Sequence, residues 1–214
     1  MKIVSVILAR GGSKGIPNKN IININGCPLI AYTILASVRS QVAETWVSTD
    51  SEQIKTIAQN HGALTLDRPR EISGDLSLSE EALTHFSQNV NFDILVFIQP
   101  TSPLVKETDL NKGINMITNP KNSFDSVFSV YKEHWTPRWT LNIKPKDWDT
   151  NNRPMRQEIE PQYVENGAFY ITTKKCLLKS NLRYSGNLGI VEMPNYRSFQ
   201  IDTLDDIKLM EKLL

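Results

Sequence analysis

Two stretches, Ile3 to Leu8 (IVSVIL) and Ile94 to Ile98 (ILVFI), are almost unbroken runs of β-branched and apolar residues. A strand wetted on one face alternates apolar with polar residues. A run that does not alternate reads as a strand covered on both faces, and so as part of a mostly parallel sheet with helices on each side. That requirement excludes most all-β and all-α architectures for this half of the chain.

The segments between these runs supply the helices. Pro28 stands where a first helical turn tolerates proline, and Leu29, Ile30, Ile34 and Val38 recur at helical spacing. Trp46 to Thr49 reads as a strand, and Asp50 with Gln53 caps a helix that stops at Gly62. Ser77 with Glu80 forms a second capping pair ahead of Ala82, Leu83 and Phe86. Leu110, Ile114 and Ile117 mark a further helix and Ser126 to Tyr131 a further strand. Gly167 to Thr172, Ile190 to Met193 and Phe199 to Ile201 are expected strands, and Asp205 to Leu214 a closing helix. From Lys132 to Glu165 the periodicity gives way to Pro, Trp, Arg, Asn and Asp, which reads as an excursion out of the sheet. The expectation is one α/β domain over residues 1–214, with its ligand at the carboxyl ends of the strands.

Composition narrows the function classes. With 24 Lys plus Arg against 23 Asp plus Glu, the chain is near neutral and makes no global electrostatic case for nucleic acid or an anionic membrane. No stretch has the apolar length of a bilayer span, and Arg10 cuts short the apolar N-terminal run before any cleavage site, so a cytoplasmic protein is expected. Cys27 and Cys176 lie far apart without metal-ligand spacing, and His61, His85 and His134 show none either.

The first apolar strand runs straight into LARGGSKGIPNKN, Leu8 to Asn20. Strand, glycine-rich turn and helix in that order place backbone N–H groups around an anion, because glycine permits positive φ and close approach. Arg10, Lys14 and Lys19 add charge suited to a polyphosphate. Neither G-x-x-x-x-G-K-[ST] nor G-x-G-x-x-G is present, and a turn with merely solvated lysines is the competing reading.

LARGGSKGIPNKNI resembles the N-terminal signature of the acylneuraminate cytidylyltransferases, the CMP-sialic acid synthetase family of CMP-nonulosonic acid synthetases. VSTDSEQI, DRPREISGD, IQPTSPL, RPMRQEIEPQYVENGAFYI and IDTLDDIKLMEKL extend the resemblance in the family's order across nearly the whole chain. The resemblance implies a three-layer Rossmann-like nucleotidyltransferase fold and transfer of CMP from CTP to the anomeric hydroxyl of a nonulosonic acid (sialic, legionaminic or pseudaminic type), with Mg²⁺ and release of pyrophosphate. Its alternatives are a 3-deoxy-manno-octulosonate cytidylyltransferase, another sugar nucleotidyltransferase, and a catalytically silent binder on the same fold.

By the same resemblance, Arg10, Ser13, Lys14 and Lys19, with N–H groups near Gly11 and Gly12, would hold the triphosphate. Asn20 would orient the nucleotide, and Arg68 and Ser79 would meet the cytidine; a helix-leading Asn, a surface Arg and a cap-region Ser are the plainer readings. Gln99, Thr101, Ser102 and Asn166 would meet the sugar, against ordinary turns at Pro100, Pro103 and Asn166-Gly167. Asp202 is the expected metal ligand and Asp205 and Asp206 the runners-up, although acids here also suit a helix start. Some relatives carry an acid two residues earlier, where this chain has Gln200, so the resemblance leaves Asp202 as the leading protein ligand. The excursion resembles the family's dimerisation extension, implying a homodimer in which Arg156, with Gln157 and Arg153, meets a substrate carboxylate. Ion pairing of Arg156 with Glu158 or Glu160 is the alternative.

Overall fold

The computed structural model describes every residue except Lys14. The main strands are β1 (Ile3–Leu8), β2 (Glu44–Thr49), β3 (Leu64–Asp67), β4 (Ile94–Ile98), β5 (Ser126–Glu133), β6 (Gln162–Thr173) and β7 (Leu188–Glu192). The helices are α1 (Leu29–Val38), α2 (Glu52–Asn60), α3 (Ser79–Asn89), α4 (Glu107–Thr118), α5 (Lys174–Ser180) and α6 (Leu204–Leu213). Among the described residues the seven strands form one sheet in the order β7-β5-β6-β4-β1-β2-β3. Strand β1 pairs in parallel with both β2 and β4, and β6 runs antiparallel between β4 and β5.

The unbroken apolar runs are strands covered on both faces. Along β4, Ile94, Val96 and Ile98 enter one core with Ile30 and Ile34 of α1 and Leu110 and Ile114 of α4. Leu95 and Phe97 enter the other with Leu83 and Phe86 of α3 and Leu177 of α5. The two-residue side-chain period therefore serves two helical layers at once, giving a three-layer α/β fold.

Several local expectations move. Ser51, not Asp50, caps α2, its Oγ accepting from Ile54 N at 3.4 Å. At α3 the box is made by Glu81, which accepts from Leu78 N at 2.9 Å, while Ser77 Oγ accepts from Gly74 N. Pro28 precedes the first turn of α1 and ends a two-residue ribbon with Asn23–Ile24. Phe199 to Ile201 is not a strand: a 3-10 turn at Asn195–Arg197 leads into an irregular strap without strand pairing. The excursion is narrower than its composition suggests, because β5 and β6 continue their ladder outward to Glu133 and Gln162. A bulge between Glu165 and Tyr170 bends β6 where it enters the sheet.

Candidate active site

At the carboxyl ends of β1 and β4 lies a cleft of about 450 Å³. Arg10, Ser13, Lys19 and Asn20 reach it from the loop after β1, Arg68 from the segment after β3, Ser79 from the first turn of α3, and Gln99 and Thr101 from the loop after β4. Four separated stretches of sequence thus converge where a parallel sheet opens its crevice.

The loop is held from behind. Gly12 has φ +65°, a conformation glycine adopts freely, and Gly11 N donates to Asp50 Oδ1 at 2.8 Å. Asn20 is buried and its Nδ2 donates to the Arg10 carbonyl at 3.0 Å, so its amide fixes the loop. The expected Lys14 contribution lies outside the described residues.

Each described loop cation meets a carboxylate across the cleft mouth. Arg10 Nη2 stands 2.7 Å from Asp75 Oδ1, and Lys19 Nζ stands 3.0 Å from Asp202 Oδ1. Arg68 is buried against the wall; its Nε donates to Ser73 Oγ at 3.1 Å while its Nη2 has no partner among the described residues. Burial pulls the Arg68 guanidinium below its ordinary pKa, opposed by Asp50 and reinforced by Arg10. A buried, incompletely paired donor in a cationic cleft favours a ligand that brings acceptor oxygens.

At the other end, Thr101 is buried and donates to Gln200 Oε1 at 3.3 Å, while Ser102, next in the chain, is not among the described cleft-lining residues and is buried with its Oγ unpaired among the described residues. Asn166 is deeply engaged with the protein itself. Its Oδ1 accepts from Ser129 Oγ at 2.6 Å and Ala168 N at 3.1 Å, and its Nδ2 donates to Ser198 Oγ at 2.9 Å. These bonds make its side chain part of the cleft's frame. Arg156 and Gln157 are not brought to this cleft: with Arg153 and Trp135 they line a separate cavity of about 470 Å³ on the excursion. The proposed ion-pair partners Glu158 and Glu160 are not paired with Arg156; Glu158 instead accepts from Met155 N at 2.8 Å.

For a hard divalent cation the donors sort clearly. Asp206 accepts from the backbone N–H groups of Asp202 and Thr203 at 3.0 and 2.7 Å; the Asp202 bond leads in holding its carboxyl below the usual range, against the opposing effect of burial. Asp205 pairs with Lys208 at 3.0 Å. Asp202 remains as an exposed carboxylate at the cleft, and no cluster of three His, Cys, Asp or Glu is present among the described residues. One carboxylate fits an ion that takes its other ligands from water and phosphate.

Asp50, expected from the sequence as a helix cap, holds Gly11 N instead, and Asp75, to which the sequence assigns no role, pairs with Arg10. Asp50 carried a signal, since it directly follows β2 at the sheet's active edge. Glu80 and Arg183 form a further bidentate pair beside Ser79, at 2.7 and 3.1 Å, with Arg183 stacked over Tyr170 and Phe97. Burial alone would raise the Glu80 carboxyl, but Arg183 and backbone hydrogen bonds together outweigh it and hold the carboxyl low.

Residues 4–213 match the family model described as Cytidylyltransferase. The chain belongs to the cytidylyltransferase family. It is 41% identical over 219 residues to an N-acylneuraminate cytidylyltransferase of Oncorhynchus mykiss, covering 98% of this chain and 50% of the relative. It thus spans about half the length of the first curated relatives it matches. A CMP-N,N'-diacetyllegionaminic acid synthase of Legionella pneumophila is 33% identical over 231 residues, covering 100% of this chain and 97% of the relative. In fold, the chain is similar to CMP:2-keto-3-deoxy-manno-octonic acid synthetase solved with CTP, with a TM-score of 0.78 at 18% identity over 100% of this chain and 98% of that one. No helix among the described residues is long and apolar enough to cross a membrane.

Proposed function

We propose that this chain transfers CMP from CTP to the anomeric hydroxyl of a nonulosonic acid, of the sialic, legionaminic or pseudaminic type, releasing pyrophosphate. Its setting is cytoplasmic synthesis of a cell-surface glycan precursor. The observation that carries the reading is the end-to-end match to a legionaminic acid synthase together with a cleft whose cationic loop faces a second, neutral polar wall.

In this reading, Arg10 and Lys19, with Lys14, take the triphosphate and exchange their carboxylate partners Asp75 and Asp202 for phosphate oxygens. Arg68 and Ser79 meet the cytidine, Arg68 through the Nη2 that has no partner among the described residues. Gln99 and Thr101 orient the acceptor so that its hydroxyl meets the α-phosphorus in line with the departing pyrophosphate. Neither side chain can take the proton, so their contribution is geometry and the cations' contribution is charge neutralisation. Asp202 would hold Mg²⁺ with the nucleotide's phosphate oxygens, and the ion would supply further neutralisation of the triphosphate. The unit acts as a single domain over residues 1–214 and as a homodimer, with the excursion carrying Arg156 and Gln157 toward the partner's sugar acid.

The test is pyrophosphate release with Mg²⁺, each of the four nucleoside triphosphates, and a panel of nonulosonic and octulosonic acids. Release with CTP and a nonulosonic acid is expected, and Arg10→Ala or Lys19→Ala should lower kcat by roughly 10²- to 10³-fold. Release with an octulosonic acid alone would reassign the acceptor. Silence across the panel with intact CTP binding would leave a binder.

A further inference from the structure

The strap after the 3-10 turn has no ladder to hold it, yet it runs behind the cleft against β6 and the loop after β4, touching Asn166 and Thr101. Side chains do the holding instead. Arg197 is buried and grips Asp109 through both terminal nitrogens, with Nη2 to Oδ1 at 2.9 Å. Ile201 N donates to the Thr101 carbonyl at 3.0 Å. Between these anchors, Gln200 uses both ends of its amide: Nε2 donates to the Asn166 carbonyl at 2.5 Å and Oε1 accepts from Thr101 Oγ1 at 3.3 Å.

The backbone opposite has made room for that amide. Gly167 has φ +69°, and a Cβ placed there would lie 2.4 Å from Gln200 Nε2 and 3.7 Å from Gln99 Nε2. A larger residue at 167 would displace the Gln200 amide from its bonds and would strain the left-handed backbone, so glycine is the residue that lets the β6 bulge and the Gln200 amide sit together. The amide is chemically specific as well. It must donate to a carbonyl and accept from a hydroxyl at once; an ionised carboxylate offers no donor and a thioether of similar length offers neither bond of comparable strength.

Resting on the cytidylyl-transfer reading above, we propose that Gln200 is a positioning residue. It ties Thr101, at the acceptor end of the cleft, and Asn166 to the strap on which Asp202, the partner of Lys19, follows two residues later. Gln200 is not among the residues lining the cleft, so it acts through these neighbours rather than on substrate. Its removal lets the two ends shift relative to each other, which damages alignment of the attacking hydroxyl. Nucleotide capture by Arg10 and Arg68, on other elements, is left in place.

The experiment compares the full chain with Gln200→Ala, Gln200→Met, Gly167→Ala and the Gln200→Ala/Gly167→Ala pair. It reads steady-state pyrophosphate release, CTP binding by titration calorimetry, and thermal midpoint. Both Gln200 variants should lose roughly 10- to 100-fold in kcat with the Kd for CTP held within about threefold. Gly167→Ala should lose activity in the parent chain and less in the Gln200→Ala background, where its clash partner is gone and only the strain of its left-handed backbone remains. The volume-keeping Gln200→Met variant decides the matter if Gln200→Ala does not fold. Parent-like kcat in a folded Gln200 variant, or a loss confined to thermal midpoint, would overturn the proposal. A parent chain that releases no pyrophosphate with any acid would instead overturn the transfer reading, and this proposal with it.

Discussion

Strands β5 and β6 pass through two different environments. Inside the sheet they are covered on both faces: Val127, Val130, Phe169 and Ile171 are buried, and the surrounding strands and helices exclude water. Outside it the same two strands continue their ladder, but no residue from 131 to 165 is buried. There the excursion is organised around Trp148, which meets Trp135 and Trp139 edge-on with centroids 6.2 and 5.0 Å apart, lies 5.9 Å beneath Arg153, and donates through its Nε1 to the Arg138 carbonyl at 3.1 Å. One hairpin is therefore fastened by a core at one end and by a few aromatic edges at the other. Backbone pairing persists across that boundary, while the energy that fixes side chains does not.

The largest expected effect tests this contrast directly. Phe86, fully buried against Trp46 and Phe92, should cost about 3–5 kcal/mol when replaced by Ala, read by urea unfolding. Trp148→Ala at low protein concentration should cost about 1 kcal/mol, the scale of a partly exposed aromatic contact. Equal costs would mean that the excursion carries a core of its own, and the comparison would fail.

The same division explains what could be read from sequence. The layers, the sheet and the loop after β1 were legible because burial on two faces writes itself into composition: a run such as ILVFI has few other structures open to it. That Arg10 and Lys19 would stand at the cleft was legible because their loop joins a strand to the sheet's carboxyl edge; Asn20 came only through the family resemblance. Gln200 as a structural tie was not, since its partners Asn166 and Thr101 lie 34 and 99 residues away and nothing local marks the contact. The strap over Phe199 to Ile201 was misread as a strand because a buried Ile201 mimics a strand's apolar position, although side-chain anchors rather than a ladder hold it. Caps slipped by one residue for a related reason: several Ser and acidic residues crowd each helix start, and the one whose side chain turns inward is chosen by tertiary contacts. At α2 that choice released Asp50 to hold Gly11.

An intermediate effect concerns the tip of the excursion, where Leu141 is fully exposed and Ile143 is 81% exposed. If the excursion is the homodimer contact, Leu141→Asp should shift the sedimentation equilibrium toward monomer. It should change the unfolding free energy of the dilute protein by no more than about 0.5 kcal/mol, as expected for a surface site. An unchanged association constant would remove the tip from the interface.

A last effect, which can fall close to zero, has a sign that separates the two regions most sharply. Ile143 closes the turn from Thr140 with φ +58°, its N donating to the Thr140 carbonyl at 2.9 Å, and Thr140 N donating to the Lys144 carbonyl at 2.8 Å. A left-handed conformation costs a residue with a Cβ about 1–2 kcal/mol, more awkwardly still when that carbon is branched. Glycine removes this strain but returns about 0.5–1 kcal/mol of freedom to the unfolded chain. Because the Ile143 side chain buries almost nothing within its own chain, Ile143→Gly should stabilise the isolated subunit by up to about 1 kcal/mol in urea unfolding. A partner that covers Ile143 would reverse the outcome at high concentration, since glycine would give up the apolar contact that offsets the strained turn. Stabilisation at dilution combined with weaker self-association would place the compensation for the strain in the second subunit; stabilisation at every concentration would leave the turn strained with no contact to offset it.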